Sequence, residues 1–180
     1  YLDAWVQYLD TPSFTVADGA TVSADMWWGL EDPAGAEVAG TCTDGWDQAN
    51  VQISVDGGAT FSMLESGDYP YDFDCGYGMV YNGIECGNTA GDCAGWGGYS
   101  PGLSGWNNVS FDLASFAGQD AIVRFAFYSD PAYSSVDEPT ATGFQVDNIV
   151  VSDGAFSDTA DDEATMAISG AVWVDQFYDY

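Results

Sequence analysis

Apolar and polar residues alternate with a period of two in segment after segment of this 180-residue chain. No long segment carries the 3.6-residue apolar period of an amphipathic helix. The alternation runs through "TVSADMWW" (21–28), "ANVQISV" (49–55), "WNNVSFDL" (106–113), "AIVRFAF" (121–127) and "GFQVDNIVV" (143–151). Successive side chains of a strand point to opposite faces, so each segment reads as a strand with one buried face. Clusters of Gly, Asp, Asn and Pro separate the runs. Asp56, Gly57 and Gly58 take positive φ at little cost, so "ANVQISV" and "TFSML" on either side of them predict a hairpin. Many short strands punctuated in this way predict an all-β fold, a jelly-roll β-sandwich.

The chain holds 29 Asp and Glu against a single basic residue, Arg124, with no His, for a net charge of -28. An apolar fraction of 47% and an aromatic fraction of 16% distinguish it from a disordered acidic tail, because burying them offsets the entropy of ordering. The acids therefore belong mainly on the surface. Such a surface repels nucleic acid and anionic membranes and attracts cations, calcium above all, whose preferred ligands are carboxylate oxygens. The longest uncharged apolar runs, such as "AISGAVWV", are too short to span a bilayer, so no membrane insertion is expected. No basic segment followed by an apolar one opens the sequence, and any signal peptide is expected to have been removed or to precede these residues. Without histidine, neither an H-E-x-x-H zinc site nor a Ser-His-Asp or Cys-His arrangement is possible, and no G-x-S-x-G elbow or phosphate loop occurs. Paired carboxylates can hydrolyse glycosides, but among so many acids a close pair arises by chance. The chain is expected not to be an enzyme.

Residues 65–105 are rich in Gly and aromatics and hold three of the four cysteines. A loop of this length in a compact domain needs a function or a staple. The cysteine spacings fit no zinc pattern, and the even number suits two disulfides. Of the three possible pairings, the favoured one closes a short Gly-rich loop with Cys86–Cys93 and joins two longer loops with Cys42–Cys75. Four free buried thiols are the other reading. Disulfides imply an oxidising, extracellular location. Asn108-Val109-Ser110 is a sequon, which makes Asn108 a possible glycosylation site.

The stretches "GWDQANVQISVDGGATFSML", "GWNNVSFDLASFAGQDAIVRFAFYSDP" and "GFQVDNIVV" resemble the jelly-roll modules of the MAM-like and choice-of-anchor J type, similar to those that accompany secreted immune inhibitor A-type metallopeptidases. The likeness runs from about Phe14 to Val151 and implies the fold. It also implies a structural calcium between loops at one end of the sandwich, with Glu31, Asp47 and Asp147 as the matching acids and backbone carbonyls completing the six to eight oxygens. Solvation of all three acids is the alternative. In strict alternation Gln145, Asp147 and Ile149 share a face, where an unpaired buried carboxylate would be costly. "DFDCG" (72–76) is a second acidic candidate but lacks the rest of an EF-hand loop. In "AIVRFAF" Val123, Phe125 and Phe127 form the core face. Arg124 then points outward, where its planar fork is expected to pair bidentately with an acid on an adjacent strand.

The organisation expected is a jelly-roll domain over 1–153, interrupted by the Gly-rich insertion at about 65–105, and a C-terminal extension over 154–180. The extension opens on "SDTADDE" and regains alternation in "TMAISGAVWV". There Met166, Ile168, Val172 and Val174 share one face and Trp173 the other. Both faces are uncharged, as expected of a strand covered on two sides. This strand is expected to add to the edge of a neighbouring subunit, and "YLDAWVQYL" also reads as a strand, so the chain is expected to self-assemble through its terminal strands. The function expected is that of a secreted structural module, a subunit of an extracellular filament or surface assembly or a cell-adhesion module, stabilised by calcium. The alternative is a carbohydrate-binding or accessory domain of a larger secreted hydrolase. That reading rests on Trp27, Trp28, Trp96, Tyr99 and Trp106, since aromatic faces stack on sugar rings, although core packing accounts for most such residues. Trp27 and Trp28 are adjacent, so on a strand they point to opposite faces.

Overall fold

The computed structural model describes residues 1–87, 91–101, 105–158 and 167–170. Two antiparallel sheets pack face to face as a β-sandwich. The first contains β1 (Val6–Asp10), β2 (Phe14–Thr15), β4 (Gln48–Ser54), β5 (Ser62–Met63), β7 (Asp120–Tyr128) and β10 (Ala167–Gly170). Its order is β10-β1-β7-β4-β5, with β2 paired to the start of β7. The second holds β3 (Thr21–Gly29), β6 (Asn107–Asp112), β8 (Gly143–Val151) and β9 (Ser157–Asp158), in the order β6-β3-β8-β9. Among the described residues no helix is long and apolar enough to cross a membrane.

The period-two pattern sorts side chains as strand geometry requires. Val22, Ala24, Met26 and Trp28 of β3 are buried, and Val51, Ile53, Val123, Phe125 and Phe127 of the opposite sheet meet them in one core. The hairpin between β4 and β5 forms with Gly57 and Gly58 at φ 74 and 89. On the outer side of the first sheet, Asp10 lies directly across from Arg124. The guanidinium donates from Nε and Nη2 to the two Asp10 oxygens at 2.7 and 2.8 Å, and lies between the rings of Tyr8 and Phe61, 4.0 and 3.7 Å from their centroids. The two-pronged fork is a geometry a lysine cannot reproduce, and the rings add cation–π contacts on either side of it.

Two features depart from simple alternation. In β4 every residue is buried, the polar ones included. The insertion covers its outer face, and three side-chain amides satisfy what that covering would strand. Gln48 Nε2 donates to the Cys93 carbonyl at 2.8 Å and its Oε1 accepts from Met79 N. Asn50 Nδ2 donates to the Ala94 carbonyl at 2.9 Å, and Gln52 Nε2 bonds Asn50 Oδ1 and the Tyr128 hydroxyl. The insertion itself carries a short helix, α1 (Tyr77–Tyr81), and is closed by Cys42–Cys75 and Cys86–Cys93. It sends Trp96 into the main core, stacked on Trp28 with ring centroids 4.9 Å apart. The second departure is in β8, where three residue steps oppose two of β3 between Ser23 and Asp25. The extra residue, Asn148, sits at φ 48. Gln145 and Asp147 therefore do not share a face with Ile149, which turns into the core.

β9 pairs with β8, and β10 pairs antiparallel with β1 of the same chain, from Gln7 opposite Gly170 to Asp10 opposite Ala167. Ile168 lies opposite Leu9. Met166, Val172, Trp173 and Val174 fall outside the described residues.

The docking of the insertion is testable at Gly76. A Cβ there would stand 1.7 Å from Gln48 Oε1, whereas a Cβ at Gly67 meets nothing within 4 Å. Gly76→Ala is expected to destabilise by about 1–3 kcal/mol in chemical denaturation, and Gly67→Ala to leave the midpoint unchanged. Equal effects would contradict the amide-mediated docking.

Candidate metal centre

Strand pairing brings three acids to one end of the sandwich. Asp47 immediately precedes β4 and Asp130 lies two residues after β7. Because Gln48 faces Tyr128 across these strands, the two acids emerge side by side. Asp47 Oδ1 accepts from Asp130 N at 2.7 Å. Glu31 follows β3 in the opposite sheet, where the Leu30 and Gly98 amides exchange bonds with the carbonyls of Gly98 and Glu31. One ligand oxygen from each of Glu31, Asp47 and Asp130 can be chosen so that all lie within 4.8 Å of one another. Two oxygens on opposite sides of a calcium ion are separated by about 4.6–5.2 Å, so the cluster has the span of a calcium shell.

The electrostatics define the site more sharply. Asp47 is fully buried and Asp130 is 5% exposed. Burial pushes the Asp47 carboxyl up to about 7, against the Tyr1 hydroxyl and the Asp130 amide, which favour its anion. Burial, and then the charges of Asp130, Asp47 and Asp32, push Glu31 up to about 8. Burial also raises Asp130. Among the described residues, three buried side-chain oxygens lack a hydrogen-bond partner: Glu31 Oε2, Asp47 Oδ2 and the Tyr1 hydroxyl. The Tyr1 hydroxyl stands beside Asp47 but outside hydrogen-bonding geometry with it. An orphaned buried carboxylate oxygen costs several kcal/mol, on the order of the desolvation of a charge. No basic side chain can compensate, since Arg124 is the sole Lys or Arg in the sequence and is held by Asp10. These oxygens suit a hard divalent cation, with Glu31, Asp47 and Asp130 as its anionic ligands.

Sequence reasoning found two of these three acids. Asp147 is not in the group. It pairs across from Asp25 on the outer face of the second sheet, and its Oδ1 accepts from Asn148 N at 2.6 Å, fastening the bulge. Asp25 lies six residues before Glu31 along the same chain path, about 20 Å in extended geometry. The signal for Asp130 was the β4–β7 register, which puts "YSDP" next to "GWDQ" once the two strands are paired. Asp72 of "DFDCG" serves the insertion instead, accepting from Gly97 N at 3.1 Å. Asn108 is exposed on β6 and donates its amide to Asp25 Oδ1 at 2.8 Å. All four cysteines are paired, as favoured.

No protein-family model matches the chain, and no curated protein matches it significantly.

The raised carboxyls fix the sign of a pH effect. Unfolded carboxyls titrate near 4, so between about pH 4 and 8 the metal-free folded state holds protons the unfolded state has released. In chelator, the melting temperature is expected to fall as pH rises through this window. Calcium is expected to restore it most strongly at pH 8 and least at pH 5, where protons compete. Asp47→Asn and Asp130→Asn are each expected to abolish the calcium response, and Asp147→Asn to preserve it. A chelator-insensitive melt at pH 8, or a response lost in Asp147→Asn, would refute the site.

Proposed function

We propose that this chain is a calcium-stabilised, non-catalytic extracellular module that acts structurally, a jelly-roll subunit of a filament, surface layer or adhesive assembly. The observation that carries the reading is the cluster of Glu31, Asp47 and Asp130, with buried oxygens that no group among the described residues satisfies. A module that completes its fold with calcium is suited to surroundings where that ion is abundant and thiols are oxidised, and the two disulfides support the same location. The resemblance to MAM-like and choice-of-anchor J modules belongs to this proposal, and so does the jelly-roll connectivity.

Assembly is proposed to proceed by exchange of the last strand. Among the described residues β10 pairs with the β1 edge at four positions, Gln7 to Asp10. The β1 edge of a second copy offers the same hydrogen-bonding groups, so an exchanged strand loses nothing in the ladder and joins subunits head to tail. The net charge of -28 opposes close approach, and salt or calcium screens it. Full-length protein with calcium at high salt is expected to sediment as large particles and to show ordered assemblies by electron microscopy. Deleting residues 164–180 is expected to leave a folded, calcium-responsive monomer. Full-length protein that stays monomeric at high concentration and high salt, or a truncated chain that still assembles, would overturn the assembly reading.

A further inference from the structure

The outer face of the second sheet carries a row of aromatics that the core does not use. Trp28 and Trp96 are buried against each other, which removes them as binding candidates. Trp27 points the opposite way, and the register that pairs Met26 with Asn107 puts Trp106 across from it. The two indoles meet edge to face, 6.0 Å apart at 85°. Two residues further along β3, Gly29 bridges Tyr99, whose side chain therefore falls on the same outer face. Trp106 and Tyr99 remain 43% and 40% exposed. Both are held in place, Trp106 by Trp27 and Tyr99 by a 2.6 Å hydrogen bond between its hydroxyl and Thr140 Oγ1. Successive positions on one strand face are about 7 Å apart, so the rings form a short track.

Polar groups flank the track. Asp25 Oδ1 and Oδ2 accept from the side-chain amides of Asn108 and Asn148, at 2.8 and 2.9 Å, forming an amide–carboxylate–amide row one step from Trp27. Gln145 lies directly across from Trp27. The amides keep further donors and acceptors for a ligand, the chemistry that hydroxyl groups match in both directions.

We propose that this face binds a neutral oligosaccharide, with the apolar C–H faces of sugar rings stacked on Trp106 and Tyr99 and hydroxyls bonded to the Asn108–Asp25–Asn148 row. The charges select the occupant. Asp25, Asp112 and Asp147 lie on this face and Arg124 belongs to the other sheet, so anionic polymers are repelled from it. A neutral polyhydroxylated ligand meets no such repulsion, and its weakly positive C–H groups suit the negative faces of the rings. Fixed rings lose little entropy on binding.

The test uses the full calcium-loaded chain in affinity electrophoresis through neutral β-glucan, xylan, mannan and soluble chitin derivatives, followed by calorimetry with the matching hexasaccharides. At least one polymer is expected to retard the protein. Trp106→Ala and Tyr99→Ala are each expected to weaken binding at least tenfold, and Trp106→Phe to retain part of it. Tyr81→Ala, which removes an equally exposed ring from α1, is expected to change nothing. The calcium-induced rise in melting temperature, measured on the same variants, reports folding and the metal site independently of sugar binding. Absence of retardation by every neutral polymer, preference for a uronate or sulfated polymer, or equal loss in Tyr81→Ala would overturn the proposal.

Discussion

Everything in this molecule is arranged around a shortage of positive charge. A chain with 29 acids and one base can satisfy one partly buried carboxylate with its own cation, and it does so by locking Arg124 onto Asp10 between two aromatic rings. The end of the sandwich is left with Glu31, Asp47 and Asp130 facing one another under burial and no basic side chain to neutralise them, Arg124 being held by Asp10. Such a cluster is tolerable in two states, protonated or bound to a cation. A cation or protons bound there would couple the stability of the fold to its surroundings, at the point where strands from both sheets end.

The same region connects to the rest of the structure through main chain. Glu31 continues β3, whose buried face holds Trp28 against Trp96, and the Glu31 carbonyl accepts from Gly98, next to Tyr99. Asp47 leads into β4, whose amide face carries the insertion. A cation held by these acids would pin the starts and ends of the strands on which both the covered and the open faces depend. The disulfides close loops in the insertion, and the Gln48 and Asn50 amides seat it on β4, with Gln52 orienting Asn50.

Much of the architecture was legible in the sequence because burial on one face leaves a period-two trace. The trace identified β3, β4, β6, β7 and β8, the turn at Gly57 and Gly58, the outward Arg124 and the opposite orientations of Trp27 and Trp28. It failed where local irregularity or distant pairing decides. The bulge at Asn148 shifts the face of everything after it, so Asp147 was placed with Ile149 although the two diverge. The polar face of β4 reads as solvated until the insertion is seen to cover it. Asp130 carries no local mark, because its partner acids are 83 and 99 residues away and only the β4–β7 register brings it to Asp47. The tail strand shows the limit from the other side. Its pattern announces a covered strand but not whose edge it covers, and here it lies on its own chain's β1.

Protons and a divalent cation are proposed to compete for Glu31, Asp47 and Asp130. Calcium titration by calorimetry at pH 7, repeated in two buffers of different ionisation heat, measures both partners of that exchange at once. One site per chain is expected, with net proton release on binding, because Glu31 at about 8 and Asp47 at about 7 hold protons in the metal-free protein. Binding with no difference between the buffers, or no saturable binding, would contradict the account.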